Sequence, residues 1–134
     1  MVDPTSGSWP VTADADVVHV RRSVRALAVD AGLGLVGQTK LVTAASELAR
    51  NIVEHAGGGR VRARLLSQGG RRGVEVVFED DGPGIDDVEL ALTDGHTSGR
   101  GLGLGLGGAR RLTDVFELET EPGAGTRVRV VRWA

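Results

Sequence analysis

The sequence predicts an α+β fold, a two-layer α/β sandwich in which helices cover one face of a mixed, mostly antiparallel sheet. Several short segments alternate apolar and charged residues, which is typical of strands with one buried and one solvated face. One longer segment, 38–56, instead repeats its apolar residues at helical spacing. A chain of 134 residues fits one domain that can bury a core without metals or disulfides.

The N-terminal part of the chain gives the weakest structural signals. Residues 1–15 are polar and include two prolines, so we expect a mobile tail followed by a folded domain over 16–134. Three valines between positions 17 and 20 form a short strand candidate. A helix is predicted over 23–31, because glycines follow directly and end it.

The segment from Gln38 to Ala56 is the clearest helix in the sequence, and the glycines from Gly57 onward end it. Its apolar residues recur at i, i+3, i+4, i+7 and i+11, which places them in one stripe. The stripe consists of Leu41, Ala44, Ala45, Leu48 and Ile52.

Four segments in the second half alternate as strands do. Residues 60–66 carry three arginines on one face, and residues 74–79 carry glutamates on one face, so the two predict a hairpin. Residues 116–119 and 126–133 alternate in the same way. Short helices are predicted over 86–92 and 106–113. The arginines of some strands can pair with glutamates of their neighbours on the solvated face.

Composition excludes several classes of function. The chain has no cysteine, which rules out disulfides, cysteine zinc sites and thiol catalysis. Its net charge is −2, its basic residues are interspersed with acidic ones and only 3% of its residues are aromatic, so a nucleic-acid groove is not expected. Without a signal peptide or an apolar run of about 20 residues, no membrane span is expected and the protein is predicted to be cytoplasmic.

Three segments could together form one ligand site. Glu47 and Asn51 lie one helical turn apart on the predicted 38–56 helix, on the same flank of its apolar stripe. The sequence Asp-Asp-Gly-Pro-Gly-Ile over 80–85 follows a strand directly, and its glycines allow a ligand to approach the backbone. The glycine run over 101–108 precedes a predicted helix, where bare amides suit phosphate.

Each segment taken alone has an ordinary structural explanation: a polar pair on a helix, a tight turn and a flexible linker. Two familiar nucleotide motifs do not fit the glycine run. A dinucleotide fingerprint needs a strand just before the glycines, and residues 94–100 do not form one. A P-loop needs Gly-Lys-Ser/Thr, but the only lysine in the chain is Lys40.

Taken together, the three segments resemble the N, G1 and G2 boxes of the GHKL ATPases, which include gyrase, Hsp90, histidine kinases and MutL. The small size and the spacing are similar to the anti-sigma-factor serine kinases of the RsbW, RsbT and SpoIIAB group. Residues 43–52, 80–85, 94–99 and 111–119 look most like the RsbT-like switch kinases of the stressosome. The resemblance runs from about Val17 to the C-terminus and implies a Bergerat-type GHKL fold.

The resemblance implies a role for each matching residue. Glu47 matches the general base that takes or orients the proton of a substrate hydroxyl. Asn51 matches the ligand of Mg²⁺ beside the phosphates of ATP, and Asp80 matches the acceptor for the adenine amino group. Thr126 resembles a threonine near adenine, and Asp86 to Arg100 matches a mobile lid. The matching glycines beside the base and under the phosphates are Gly82, Gly84, Gly101, Gly103 and Gly105.

The function implied by this resemblance is an ATP- and Mg²⁺-dependent serine/threonine kinase. It would phosphorylate a STAS-domain antagonist in a partner-switching pathway, and afterwards act on a PP2C-type phosphatase or a sigma factor. The family also suggests a homodimer. Three alternatives remain open: an anti-sigma factor that binds its sigma factor directly, a nucleotide-dependent binding module without catalysis, and a detached catalytic domain of a histidine kinase.

Overall fold

Strands and helices follow one another along the chain in the computed structural model, which describes residues 6–85, 87–92 and 105–134. The strands of these residues are β1 (Ser6–Val11), β2 (Gly59–Gln68), β3 (Arg71–Asp80), β4 (Val115–Glu121) and β5 (Gly125–Trp133). Their helices are α1 (Asp14–Ala31), α2 (Leu35–Asn51), α3 (Val88–Ala91) and α4 (Gly105–Arg111). A π-helical turn over Ile52–Ala56 continues α2.

The five strands form one sheet in the order β1-β2-β3-β5-β4, and every neighbouring pair is antiparallel. The predicted hairpin of residues 60–66 and 74–79 is confirmed, since β2 pairs with β3 over their full lengths. In this order β3 and β5 are adjacent although they are distant in sequence. The end of β3 and the start of β5 therefore lie side by side.

Helices α1 and α2 pack against each other, α4 packs against α2, and this layer covers one face of the sheet. The core between the layers is aliphatic, because the inward positions of the strands and the apolar stripes of the helices meet there. Its fully buried large side chains include Val20, Val24, Leu41, Leu48, Val61, Val74, Val76 and Val130. The predicted α+β sandwich with helices on one face is thus confirmed.

The opposite face of the sheet carries ion pairs that join four strands. Arg64 and Arg129 both donate to the buried carboxylate of Glu75, at 2.7 and 2.6 Å. Arg129 also donates to Glu117 at 2.7 Å. Burial acts to raise the pKa of Glu75, but the two arginines outweigh it and hold that pKa below its ordinary value of 4.5. The predicted cross-strand pairing of arginine and glutamate is therefore confirmed.

The predicted tail over residues 1–15 is wrong for the residues that the structure describes. Residues 6–11 form edge strand β1, which pairs with β2, and the side chain of Val11 is fully buried. Pro10 is compatible with this position, since an edge strand tolerates a residue without an N–H donor. In the sequence, Trp9 and Val11 alternate with Ser8 and Pro10, and this short alternation is the pattern that could have predicted the strand.

The strand candidate at residues 17–20 is also wrong, because these valines belong to α1. Val17, Val20 and Val24 lie at helical spacing and are all buried against the core. Helical spacing sustained over 18 residues outweighs the β-preference of a few valines. The helix starts at Asp14, and the carboxylate of Asp16 accepts the backbone N–H of Thr12 and Ala13 at 2.9 and 3.1 Å. These hydrogen bonds lower the pKa of Asp16.

The remaining helices lie close to their predicted positions. Helix α2 starts at Leu35, three residues earlier than predicted, and its π-helical turn ends at Gly57, which has a φ of 74°. Helix α3 lies within the predicted range 86–92, and α4 begins one residue before the predicted range 106–113. Within the described ranges, no helix is both long and apolar enough to cross a membrane.

Candidate functional site

A cavity of about 400 Å³ lies between the helical layer and the end of the sheet where β3 finishes and β5 begins. Its volume is within the range of small-molecule sites. The walls are largely apolar, and they include Leu48, Ile52, Phe78, Leu106 and Val128. Three predicted site residues with polar side chains reach it: Asn51 from the end of α2, Asp80 from the end of β3 and Thr126 from the start of β5. We call this space the β3-end cavity.

Asp80 is the acidic group of the β3-end cavity nearest its sheet wall. It lies opposite Thr126 in the register of β3 and β5. Its Oδ1 atom accepts the backbone N–H of Gly82 at 2.9 Å, which fixes the carboxylate against the turn that follows β3. A carboxylate has several lone-pair positions, so Asp80 can accept a further hydrogen bond from a ligand.

The turn after Asp80 is pressed between the π-helical turn and the β4–β5 turn. A β-carbon at Gly82 would lie 2.6 Å from the β-carbon of Ala56, so only glycine fits there. Gly84 has a φ of 74°, and a side chain on it would overlap the backbone carbonyl of Glu121. The carbonyl of Pro83 accepts the N–H of Gly123 at 2.7 Å. The turn is thus anchored on the β4–β5 turn.

The structure describes one of the three glycines that were predicted to lie under the phosphates, Gly105. It is buried at the start of α4 and lines the β3-end cavity. Gly101, Gly103 and the predicted lid residues Asp86 and 93–100 lie outside the described residues. The described part of the predicted lid includes Asp87 and Ala91, which line the same cavity.

Glu47 lines a different cavity from Asn51. Its side chain is 6% exposed and faces a space of about 550 Å³ between α1 and α2, which we call the α1–α2 groove. Arg50 donates to the Glu47 carboxylate at 3.2 Å. Arg21 and Arg25 of α1 line the same groove. The buried carboxylate of Glu47 therefore faces a groove that carries both basic and acidic side chains, with Arg21, Arg25, Asp14 and Glu54 among them.

Comparison with known proteins identifies the family of this chain. Residues 37–133 match the family model described as "Histidine kinase-, DNA gyrase B-, and HSP90-like ATPase". The chain belongs to this family. The GHKL resemblance read from the three sequence segments is thereby confirmed, as is the use of a nucleotide that goes with it.

Two individual proteins resemble this GHKL chain over most of its length. It is 38% identical over 123 residues to "Serine/threonine-protein kinase RsbT" of Bacillus subtilis (strain 168), which covers 92% of both chains. The predicted relationship to serine/threonine kinases is confirmed by this similarity. The fold also matches the crystal structure of the RsbU and RsbW domains of Rv1364c from Mycobacterium tuberculosis, with a TM-score of 0.61 and 21% identity. That match covers 94% of this chain and 32% of the other.

Several residues at the two cavities were missed by reasoning from sequence. Arg21 and Arg25 went unnoticed because only part of α1 was predicted, although they lie one turn apart on its surface. Ile85 was seen only as part of a turn, yet it lines the β3-end cavity. Thr120 contacts Thr126, and its inward position could have been found from the alternation of Phe116, Leu118 and Thr120.

Proposed function

We propose that this protein is an ATP- and Mg²⁺-dependent serine/threonine kinase that phosphorylates a STAS-domain antagonist in a partner-switching pathway. One observation carries the proposal. Asn51, Asp80 and Thr126 come from three distant parts of the sequence and meet on a single apolar-walled cavity. These are the residues that the family resemblance assigns to Mg²⁺ and adenine.

The β3-end cavity suits a nucleobase better than a fully polar ligand. Phe78, Leu48 and Val128 provide apolar wall surface, and Asp80 provides a hydrogen-bond acceptor at its edge. An adenine ring can bury its faces against the aliphatic wall while its amino group donates to the Asp80 carboxylate. Pro83 and Gly84 of the turn beside Asp80 also line the cavity, whereas Gly82 packs against Ala56.

The side chains at the cavity also fit Mg²⁺ bound through phosphates. The described residues hold no cluster of three or more His, Cys, Asp or Glu side chains that could bind a metal alone. Mg²⁺ does not need one, since it keeps several waters and is commonly held by one or two protein oxygens and the phosphates. The Asn51 amide oxygen can supply such a ligand. Bound Mg²⁺ would offset the charge that develops on the phosphates during transfer.

The phosphoryl acceptor is proposed to approach Glu47 through the α1–α2 groove. A serine or threonine hydroxyl attacks the γ-phosphorus, its proton passes to the Glu47 carboxylate, and ADP leaves. Arg50 holds the carboxylate in one orientation, which positions the base before the acceptor arrives. Arg21 and Arg25 line the groove together with Asp14 and Glu54, so the groove offers charges of both signs to polar residues beside the acceptor.

The finer assignments follow the similarity to the RsbT kinase. We propose that the protein acts in the cytoplasm, that its STAS partner sequesters it until phosphorylation, and that the freed kinase activates a PP2C-type phosphatase. The Ser-Glu-Leu-Ala-Arg-Asn segment over 46–51 favours this branch over direct binding of a sigma factor. A homodimer, as the family suggests, is checked by light scattering with size-exclusion chromatography.

The test is transfer of labelled phosphate from ATP with Mg²⁺ to STAS-domain proteins encoded near this gene. The matched control is Glu47→Gln, which keeps the shape of the side chain and removes its basicity. Label on a serine or threonine of one STAS protein, absent with the control, supports the kinase and identifies its partner. Tight ATP binding and a stable STAS complex without any label would instead support a binding module.

A further inference from the structure

Thr120 links three segments that surround the nucleobase end of the β3-end cavity. Its Oγ1 atom accepts the N–H of Ile85 at 3.0 Å and lies 3.2 Å from the Gly125 carbonyl oxygen and 2.9 Å from the Thr126 hydroxyl. In the sheet, Thr126 lies directly between Asp80 on β3 and Thr120 on β4. Among the described residues that line the cavity, Thr126 is present and Thr120 is not. Thr120 can therefore act on a ligand through the residues it contacts, either the Thr126 side chain or the turn at Ile85, both of which line the cavity.

Counting protons around Thr120 gives the direction of each hydrogen bond. A hydroxyl carries one proton and two acceptor lone pairs. The Ile85 N–H occupies one lone pair, and the Gly125 carbonyl can only accept, so it takes the Thr120 proton. The second lone pair then accepts the proton of Thr126. This is the arrangement in which all three contacts are hydrogen bonds at once.

We propose that Thr120 is a positioning residue that holds the proton of Thr126 away from the β3-end cavity. Thr126 then presents only lone pairs to a ligand, and the neighbouring Asp80 carboxylate is also an acceptor. The two side chains form a wall of the cavity that accepts hydrogen bonds and donates none. This inference rests on the proposal that the cavity binds a nucleotide.

A wall that only accepts hydrogen bonds discriminates between purine bases by the group at ring position 6. Adenine has an amino group there, which donates to the wall directly or through a water. Hypoxanthine is nearly the same size but has a carbonyl oxygen at that position, with its N–H donor at the neighbouring N1, so the oxygen at position 6 would face the acceptors of the wall without a donor. Without the Thr120 hydroxyl, the Thr126 proton is free to turn into the cavity and donate to that carbonyl. Removing the hydroxyl should therefore weaken discrimination between the bases, besides any effect on affinity.

The experiment compares the dissociation constants of ATP and ITP, with Mg²⁺, for the full chain and its Thr120→Val and Thr120→Ser variants. Valine has the shape of threonine and favours a strand, while serine restores the hydroxyl. Thr113→Val is the matched control, because the Thr113 hydroxyl also contacts backbone carbonyls, those of Ala109 and Arg110, at the C-terminal end of α4. Thr120→Ala repeats the test without a branched side chain if the valine variant does not fold.

The inference expects the ITP-to-ATP ratio of dissociation constants to fall about tenfold in Thr120→Val and to stay at the wild-type value in Thr120→Ser and Thr113→Val. If Thr120→Val weakens both nucleotides equally, Thr120 only supports the turn and the inference is overturned. A wild-type protein that binds ATP but does not distinguish ITP also overturns it, and leaves the proposed kinase intact. A wild-type protein that binds neither nucleotide removes both proposals.

Discussion

Glu47 and Asn51 lie one turn apart on α2 but line separate cavities, with Asn51 at the β3-end cavity and Glu47 at the α1–α2 groove. At about 100° per residue, positions 47 and 51 are about 40° apart around the helix axis, so one edge of α2 contributes a residue to each space. In the proposed kinase, the base of the nucleotide would occupy the β3-end cavity, and the protein substrate would approach along the α1–α2 groove, so that the phosphates and the acceptor hydroxyl meet at this edge of α2. Binding of ATP and transfer of its phosphate should then be separable by single substitutions.

Glu47→Gln should abolish transfer and leave ATP binding unchanged. The amide cannot take a proton, and loss of a positioned base lowers a rate by about 10²–10⁴-fold. The measurement combines calorimetry with ATP and a phosphotransfer assay. Glu54→Gln is the control, since Glu54 is an exposed glutamate that lines the same groove. Full transfer activity in Glu47→Gln would exclude the base role.

Asp80→Asn should weaken ATP binding by about 10–100-fold while the protein remains folded. Asparagine can still accept the Gly82 N–H through its oxygen, but its NH₂ group then faces the donor of the base. Asp81→Asn changes the neighbouring exposed carboxylate, which does not line the β3-end cavity, and should have little effect. Equal ATP affinities for the two variants, measured by calorimetry, would remove Asp80 from the site.

Gly84→Ala should destabilise the protein more than Gly123→Ala. Both glycines have positive φ, 74° and 79°, so both substitutions carry a similar backbone cost. Only the β-carbon at position 84 would meet another group, the carbonyl of Glu121, whereas position 123 has open space. We expect an additional loss of about 1–3 kcal/mol in the free energy of unfolding for Gly84→Ala. Urea denaturation of both variants measures this difference, and equal losses would contradict the packing of the turn.

Glu75→Gln should lower the stability of the protein at neutral pH and reduce its sensitivity to acid. The pKa of Glu75 is lowered on folding, so the unfolded chain takes up the proton first as the pH falls below about 4.5. Stability from this group is present above that pH and is lost towards the lower pKa of the folded state. The variant should unfold about 1–3 kcal/mol more easily at pH 7.

The acid dependence of that stability is measured by denaturation at a series of pH values between 3 and 7. Below about pH 4.5 the wild-type curve should fall more steeply than that of Glu75→Gln. Glu117→Gln is the control, because Glu117 bonds to Arg129 from an exposed position. If the wild type and Glu75→Gln lose stability in parallel, the arginine pairs do not lower the pKa of Glu75.

The fold could be predicted from sequence where a pattern was long enough to be unambiguous. The alternation in β2 and β3 and the apolar stripe of α2 each extend over several repeats, so their elements were identified correctly. The predictions for residues 6–20 were wrong because the patterns there are short. Strand β1 has few alternating residues, and three valines have a β-preference that only the whole of α1 overrides.

The candidate site was predicted residue by residue from motifs, but its division into two cavities was not. Helical geometry correctly set Glu47 and Asn51 on neighbouring positions of α2. It could not say that α1 would pack beside Glu47 and close a separate groove, because that depends on tertiary packing. The role of Thr120 likewise depends on the register that aligns β3, β5 and β4.

The β3-end cavity is assembled from residues more than 70 positions apart, so it exists only while the sheet keeps its register. A nucleotide in the cavity would then bind the folded chain and not the unfolded one. By mass action, a ligand at 100 times its dissociation constant adds about 2.7 kcal/mol to the free energy of unfolding. The melting temperature of this protein would therefore rise with the concentration of ATP, and the nucleotide-free protein would unfold at a lower temperature than the ATP-bound protein.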